Sequence, residues 1–176
     1  GQGIIQMEFL ADQIKNELGV NFQIYGFDTG KGLPPSKDYR DQVYFWSEGD
    51  FKQDKAKLMK KLKKAEVIYG DVKNTSHTFF NKSNLAPIGF ISFDLDYFSS
   101  TIGALTIFEK NEKHYLPRIE CYFDDVNSSE LLCASSETGV LKAISVFNSK
   151  YKKRKILKKE GVNYFRKLPS SWNNSI

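Results

Sequence analysis

The spacing of hydrophobic residues predicts alternating helices and strands along most of the chain. In the first segment apolar residues recur every three or four positions, which predicts a helix over residues 4–18 that ends at Gly19. Short apolar runs bounded by turn residues predict strands at residues 21–28, 66–71, 88–94 and 118–124. Further helices are predicted at residues 52–64 with Asp50 as N-cap, at 99–109 with Ser99 or Ser100 as N-cap, and at 137–148.

This alternation is typical of an α/β fold. It predicts a doubly wound, mostly parallel sheet with helices on both faces, and the nearly continuous apolar strands fit burial on both sides. A polar, basic stretch at residues 155–163 is interpreted as an edge strand. With 176 residues, the chain has the length of one domain, and we expect residues 1–176 to form it.

The composition narrows the class of protein. Hydrophobic residues make up 40% and charged residues 27%, which excludes a wholly disordered chain. The sequence contains neither an apolar run long enough to span a membrane nor a secretory signal. Cys121 and Cys133 are too few for a disulfide framework or a zinc cluster, so we expect free thiols and a cytoplasmic protein.

The net charge of +5 comes mainly from two lysine-rich segments. Residues 52–64 and 150–159 each contain seven basic residues, and the sequence between them is nearly balanced. We interpret these segments as solvated faces rather than as a nucleic-acid groove. A non-catalytic α/β module that binds anions is the alternative that this charge leaves open.

Aspartates stand at the ends of four predicted strands. They are Asp28, Asp71, Asp94 and Asp124, and Asp125 follows the last of them. The carboxyl ends of parallel strands share one edge of a sheet, which is where open α/β sheets bind ligands. A single aspartate at such a place often serves a turn or a helix cap, so it is the set that favours function.

Two groups of these acids indicate different ligands. The carboxylates of Asp94, Asp96, Asp124 and Asp125 are hard oxygen ligands that suit Mg²⁺, although Asp96 and Asp125 fit helix caps equally well. Asp28 precedes a glycine-rich loop, where an acid can accept hydrogen bonds from the ribose of a nucleoside cofactor, and Asp71 is placed near the base. Gly1-Gln2-Gly3 is interpreted as the end of a glycine turn or as a tag remnant.

Three segments resemble one enzyme family. Residues 26–34 (GFDTGKGLP) are similar to the strand-two signature of class I S-adenosylmethionine-dependent methyltransferases of the macrocin O-methyltransferase type. Residues 93–101 (FDLDYFSST) resemble the D-x-D-x-x-x-S-T segment after strand four, and residues 122–125 (YFDD) resemble the paired acids after strand five. The resemblance covers roughly residues 26–148.

The resemblance implies a Rossmann-like methyltransferase that transfers a methyl group from S-adenosylmethionine to a hydroxyl of a small molecule. Carried over residue by residue, it implies that Asp28 binds the cofactor ribose, that Asp71 contacts the adenosine end, and that Gly1 and Gly3 end the cofactor loop. It also implies a Mg²⁺ site made by Asp94, Asp124 and Asp125, with Asp94 as the catalytic base.

The sequence departs from this family at both ends. The family's first strand, with its E-x-G-x-x-x-G loop, and the closing strand after Trp172 do not appear, so we expect a domain truncated at both ends. The rival enzyme class is a nucleotide-sugar glycosyltransferase that uses Asp94-x-Asp96; the second acidic pair, Asp124-Asp125, favours the methyltransferase. The sequence identifies neither the methyl acceptor nor whether the protein forms a homo-oligomer. The aromatic residues in 36–50 suit either a lid over the site or plain packing.

Overall fold

The computed structural model describes residues 1–126 and 135–159 and divides the chain into two compact units. The first unit comprises Gly1–Pro35 and Ser47–Ala86. The second comprises Ser36–Trp46 and the described residues from Pro87 onward. Both units mix helices with short parallel sheets, which confirms the predicted α/β class. The single domain over residues 1–176, truncated at both ends, stays a prediction.

The first unit is a pair of parallel strands with three helices. Its elements are α1 (Gln2–Leu18), β1 (Tyr25–Asp28), α2 (Lys55–Met59), β2 (Glu66–Tyr69) and α3 (Val72–Phe79). Strand β1 pairs with β2 in parallel, and Asp28 lies opposite Tyr69. The buried ring of Phe79 on α3 packs edge-on against the rings of Tyr25 and Phe27. Aromatic burial therefore holds α3 against β1.

A buried carboxylate joins α1 to the entry of β2. Glu8 is only 5% exposed, and its carboxylate accepts the backbone N–H groups of Lys63 at 3.0 Å, Ala65 at 2.7 Å and Lys64. Burial acts to raise the pKa of Glu8, but these three donors outweigh it and hold the pKa below its ordinary value. The ionised side chain thereby satisfies three backbone donors that the turn before β2 leaves without strand partners.

The second unit is a parallel strand pair covered by two helices. Its elements are β3 (Ile88–Phe93), α4 (Phe98–Ala104), β4 (Tyr115–Phe123) and α5 (Gly139–Lys150), with short 3₁₀ turns between them. Strands β3 and β4 pair in parallel with Phe93 opposite Phe123, and these two rings stack at 4.6 Å between centroids. The fully or nearly fully buried side chains around them form the core, which includes Tyr97, Leu105, Phe108, Val140, Ala143 and Phe147.

Several predicted elements are shorter than the pattern suggested. Strand β1 begins at Tyr25 rather than at residue 21, because residues 21–24 have no strand partner among the described residues. The lysine-rich helix covers only five residues, and Asp54 caps it where Asp50 was expected. The Asp50 carboxylate instead accepts the N–H of Ser47, which holds a turn.

Two further expectations fail at the ends of elements. No Ser99 or Ser100 side chain caps α4; the N-cap is Tyr97, and the N–H of Ser99 is satisfied by a carboxylate from residue 41. Residues 155–159 form no strand, and residues 160–163 lie outside the described residues. Helix α3 was not predicted, because its apolar positions are too few to give a helical period.

None of the helices in residues 1–126 and 135–159 has the length and apolar character needed to cross a bilayer. Cys121 is a free, half-buried thiol, and Cys133 lies outside the described residues. Burial raises the pKa of the Cys121 thiol to about 11, so this thiol is protonated near neutral pH.

Candidate functional site

Three acids meet where β3 and β4 end. Asp94 follows β3 and Asp124 follows β4, so both acids leave the parallel pair at the same edge. One carboxylate oxygen from each of Asp94, Asp124 and Asp125 lies within 4.8 Å of the other two. We call these three residues the acid cluster. They are the residues that the sequence assigns to a cation, and the structure brings them together.

Local backbone geometry allows two adjacent acids to face one place. Successive side chains of an extended strand point to opposite faces, so Asp124 and Asp125 could not share a ligand within β4. The chain leaves extended geometry at Asp124 and forms a 3₁₀ turn to Val126, with Asp125 at φ −90° and ψ 33°. This turn lets the two adjacent carboxylates approach the same place.

Asp96 serves the turn between β3 and α4. Its backbone has a positive φ of 56°, a conformation that aspartate tolerates better than most residues. Its N–H donates a hydrogen bond to the Asp125 carboxylate at 3.1 Å. Among the described residues, the group of acids able to share a cation does not include Asp96.

Crowding of the carboxylates changes their affinity for protons. Burial raises the pKa of Asp125 to about 6; the N–H groups of Asp96 and Leu95 oppose this shift, and the charges of Asp94 and Asp124 add to it. Loss of hydration raises the pKa of Asp94 as well, and the Asp124 charge adds to that shift. The hydroxyl of Tyr122 donates to Asp124 at 2.6 Å. The cluster therefore holds more negative charge than its surroundings stabilise.

The donor set suits a hard cation. Three carboxylates supply oxygen ligands on two strand ends and leave room for water or substrate oxygens, which is the mode in which proteins bind Mg²⁺. Asp94 and Asp124 are exposed and Asp125 is half-buried, so a cation can reach them from solvent. These residues fit Mg²⁺ by their chemistry and their mutual distances.

The edge of the first unit's sheet carries the predicted nucleoside-binding acid. The Asp28 carboxylate accepts the N–H of Gly30 and, at 3.0 Å, the side-chain amide of Gln53. The Tyr69 hydroxyl donates to the Gln53 carbonyl at 2.7 Å. Asp28 is thus half-buried and held in place, and a carboxylate can accept further hydrogen bonds beyond these two.

The glycine loop after Asp28 is fixed by its own backbone. Gly32 has φ 86°, and a Cβ there would collide with the backbone carbonyl of Asp50. Leu33 exchanges backbone hydrogen bonds with Gly49 and Asp50, each 2.9 Å long. Glycine is therefore required at residue 32, and the loop keeps a defined path beside Asp28.

The other residues assigned to the cofactor have structural partners. Asp71 caps α3 by accepting the N–H of Lys73 at 2.9 Å, which is the capping role that a lone strand-end aspartate often takes. Gly1 is the N-cap of α1 and Gly3 lies in its first turn, so this pair stands at the start of a helix. Their roles toward a cofactor stay predictions.

Sequence reasoning did not identify several polar residues that shape these sites. Gln53 and Tyr69 hold Asp28, and Tyr122 contacts Asp124. Asp41 binds the start of α4 from a distant part of the sequence. Nothing in the sequence around Gln53 or Asp41 indicates these contacts. Each residue contacts a distant part of the chain, and hydrophobic periodicity does not report tertiary contacts. Tyr122 stands two residues before Asp124, where the shared strand face predicts the contact.

Comparison with known proteins identifies the fold. No protein-family model and no curated protein sequence matches the chain. A solved structure that it resembles is that of CalS11, a calicheamicin methyltransferase, with a TM-score of 0.60 and 19% sequence identity. The match covers 81% of this chain and 59% of the CalS11 chain, so this chain spans about three fifths of that protein's length. The likeness shows an incomplete Rossmann-like fold of the kind found in that methyltransferase.

Proposed function

We propose that this protein is an S-adenosylmethionine-dependent methyltransferase that methylates a hydroxyl of a small molecule with the assistance of Mg²⁺. The observation that carries the proposal is the acid cluster, whose three carboxylates lie within 4.8 Å of one another at the strand ends of a methyltransferase-like fold. The free thiol of Cys121 supports a reducing, cytoplasmic location for this activity.

In this proposal the residues of the two units have separate tasks. Asp94, Asp124 and Asp125 would hold Mg²⁺, which would lower the pKa of an acceptor hydroxyl, and S-adenosylmethionine would supply the methyl group. Asp28 accepts hydrogen bonds from the ribose, and its bonds to Gly30 and Gln53 fix the direction of its carboxylate. The protein contributes mainly by holding the reactants in place, which lowers the entropic part of the barrier.

Asp94 is also the proposed general base. Its exposure leaves it accessible to a hydroxyl. A carboxylate has two oxygens, so Asp94 can face a cation with one and take the hydroxyl proton with the other. Without a cation, Asp125 is ionised only above its pKa of about 6, so protons compete with a cation for this carboxylate below that pH.

The arrangement of acids favours this proposal over a glycosyltransferase. That rival needs Asp94 and Asp96 at one cation, whereas the described group pairs Asp94 with Asp124 and Asp125. The Asp96 backbone supports the turn and donates to Asp125, which is a structural task.

Calorimetric titration with two ligands tests the proposal. We expect Mg²⁺ to bind the wild-type chain and its affinity to fall at least about tenfold in Asp94→Asn and Asp125→Asn, because each loses an ionic ligand. Glu112→Gln is the matched control: it removes one acidic charge at the opposite end of β4. Unchanged Mg²⁺ affinity in both cluster variants would contradict the metal role.

The second ligand, S-adenosylhomocysteine, tests the proposed cofactor site at Asp28. We expect S-adenosylhomocysteine to bind the wild-type chain and to bind Asp28→Asn more weakly by about 2 kcal/mol, because the amide is a poorer acceptor than the carboxylate. Asp54→Asn is the control, since Asp54 caps α2 in the same unit. Equal affinity of wild type and Asp28→Asn would remove Asp28 from the cofactor site.

A further inference from the structure

A short loop in the second unit combines a fixed backbone with exposed aromatic rings. We call residues 39–46 the aromatic loop. Tyr39 is 68% exposed and Tyr44 is 71% exposed, and the ring of Phe45 stands edge-on to that of Trp46 at 4.6 Å. Single exposed apolar residues are ordinary, but four aromatic residues within eight positions, two of them largely exposed, suit an interaction surface.

A buried carboxylate anchors this loop to α4. Asp41 is fully buried, and its carboxylate accepts the Ser36 hydroxyl at 2.6 Å and both the N–H and the hydroxyl of Ser99 at 2.7 Å. The guanidinium of Arg40 stands 4.0 Å above the ring of Phe98, the first residue of α4. Because the loop is held in this way, a ligand that binds its rings pays little additional ordering entropy.

Gly139, the first residue of α5, lies beside both this loop and the turn between β3 and α4. The side-chain oxygen of Gln42 and the carbonyl oxygen of Asp96 lie 3.3 and 3.8 Å from the place that a Cβ on Gly139 would take. The N–H of Asp96 in turn donates to Asp125. The loop and the acid cluster therefore adjoin the same few residues of the second unit, although more than 45 residues separate them in sequence.

We propose that the aromatic loop is the acceptor-binding wall of this site and that the acceptor carries its hydroxyl on an aromatic ring. This inference rests on the proposed function, since it supplies the substrate class for the acid cluster. Tyr39 and Tyr44 stack against the acceptor ring, and its hydroxyl points toward the acids. A neutral phenolic acceptor fits best, because three carboxylates repel an anion.

The test uses phenol and cyclohexanol, which have the same hydroxyl and similar size but differ in aromaticity. Binding is followed by ligand-observed NMR titration of the full chain. We expect phenol to bind more tightly than cyclohexanol and to lose about tenfold in affinity in Tyr39→Ala/Tyr44→Ala. Both side chains are largely exposed, so this variant keeps its fold. Phe9→Ala, which removes an exposed ring on α1, is the control.

Manganese then reports whether the phenol lies beside the acids. Mn²⁺ takes the same oxygen ligands as Mg²⁺, and it should broaden the phenol protons with wild type but not with Asp94→Asn or with Tyr39→Ala/Tyr44→Ala. Two outcomes would overturn this inference and leave the proposed function intact. One is equal phenol binding by wild type and by Tyr39→Ala/Tyr44→Ala; the other is phenol binding to wild type without broadening of the phenol protons by bound Mn²⁺. Failure of wild type to bind either cation would overturn the metal role, and this assignment with it.

Discussion

Asp125 is the residue whose chemistry depends most directly on its neighbours in the acid cluster. Its pKa of about 6 lies above the ordinary value of 3.8, so the folded state binds this proton more tightly than the unfolded chain does. The stabilisation from the protonated form is complete at low pH and is lost as the pH rises through 6. At neutral pH the ionised Asp125 therefore opposes folding unless a cation is present.

The raised pKa of Asp125 leads to a prediction about the pH dependence of stability. In buffer with EDTA, Asp125→Asn should raise the melting temperature at pH 7.5, and the gain should shrink toward zero below pH 4, because the wild-type residue is then neutral too. The asparagine oxygen can still accept the N–H of Asp96. Adding Mg²⁺ should raise the melting temperature of the wild type more than that of the variant, which binds the cation more weakly.

Thermal unfolding followed by circular dichroism from pH 4 to pH 8 checks this prediction, with Glu112→Gln as the control for a lost exposed charge. A variant that is less stable than wild type by the same margin at every pH would contradict it. The carboxylate would then be a structural acceptor for the turn, rather than a charge that awaits a cation.

Among the elements, α1 is joined to the residues just before β2 by the buried carboxylate of Glu8. Glu8→Gln should lower the free energy of unfolding by about 1–3 kcal/mol at pH 7, because the buried carboxylate accepts three backbone N–H groups and an amide accepts them less strongly. The pKa of Glu8 is lowered, so its contribution is present above the ordinary value of 4.5 and is lost as the pH falls through the lower folded value.

Denaturant unfolding of wild type and Glu8→Gln at pH 7 and pH 3 measures this difference. Glu17→Gln, at the exposed end of the same helix, is the matched control. A difference between wild type and Glu8→Gln that persists in full at pH 3 would show that the shape of the side chain, rather than its charge, stabilises the attachment.

At this scale the sequence located the ends of all four strands within two residues, but it located the beginnings of only two of them, β2 and β3. Strands β2, β3 and β4 end within two residues of the predicted points, because in each case an apolar run stops at a turn or an acid. The start of β1 was wrong, since apolar residues before Tyr25 continue the pattern without a neighbouring strand to pair with. Pairing is a tertiary property that periodicity does not report.

The acid cluster was predictable for the same reason. Asp94 and Asp124 stand at the ends of strong apolar runs, and parallel pairing brings such ends together. Asp41 was not predictable, because it lies in a polar, irregular segment and its partner, Ser99, is 58 residues away. Nothing in the local sequence distinguishes a buried acid of this kind from an exposed one.

For the whole molecule, the proposed ligands should act on different units. Hydrogen exchange measured by mass spectrometry should show slower exchange at residues 93–97 and 122–126 when Mg²⁺ is added, because a bound cation lowers the population of locally open states there. S-adenosylhomocysteine should slow exchange at residues 28–33 instead. Protection of residues 28–33 by Mg²⁺ alone would contradict this assignment of ligands to units.

The path of Ser36–Trp46 limits how the molecule can be divided. The chain leaves the first unit at Pro35, contributes these eleven residues to the second unit, and returns to the first unit at Ser47. A cut at residue 86 therefore separates the acid cluster from Asp41, which supplies the carboxylate at the start of α4. Neither unit is one continuous stretch of the chain, so recombination at a single boundary cannot exchange one unit for that of another protein without breaking the other.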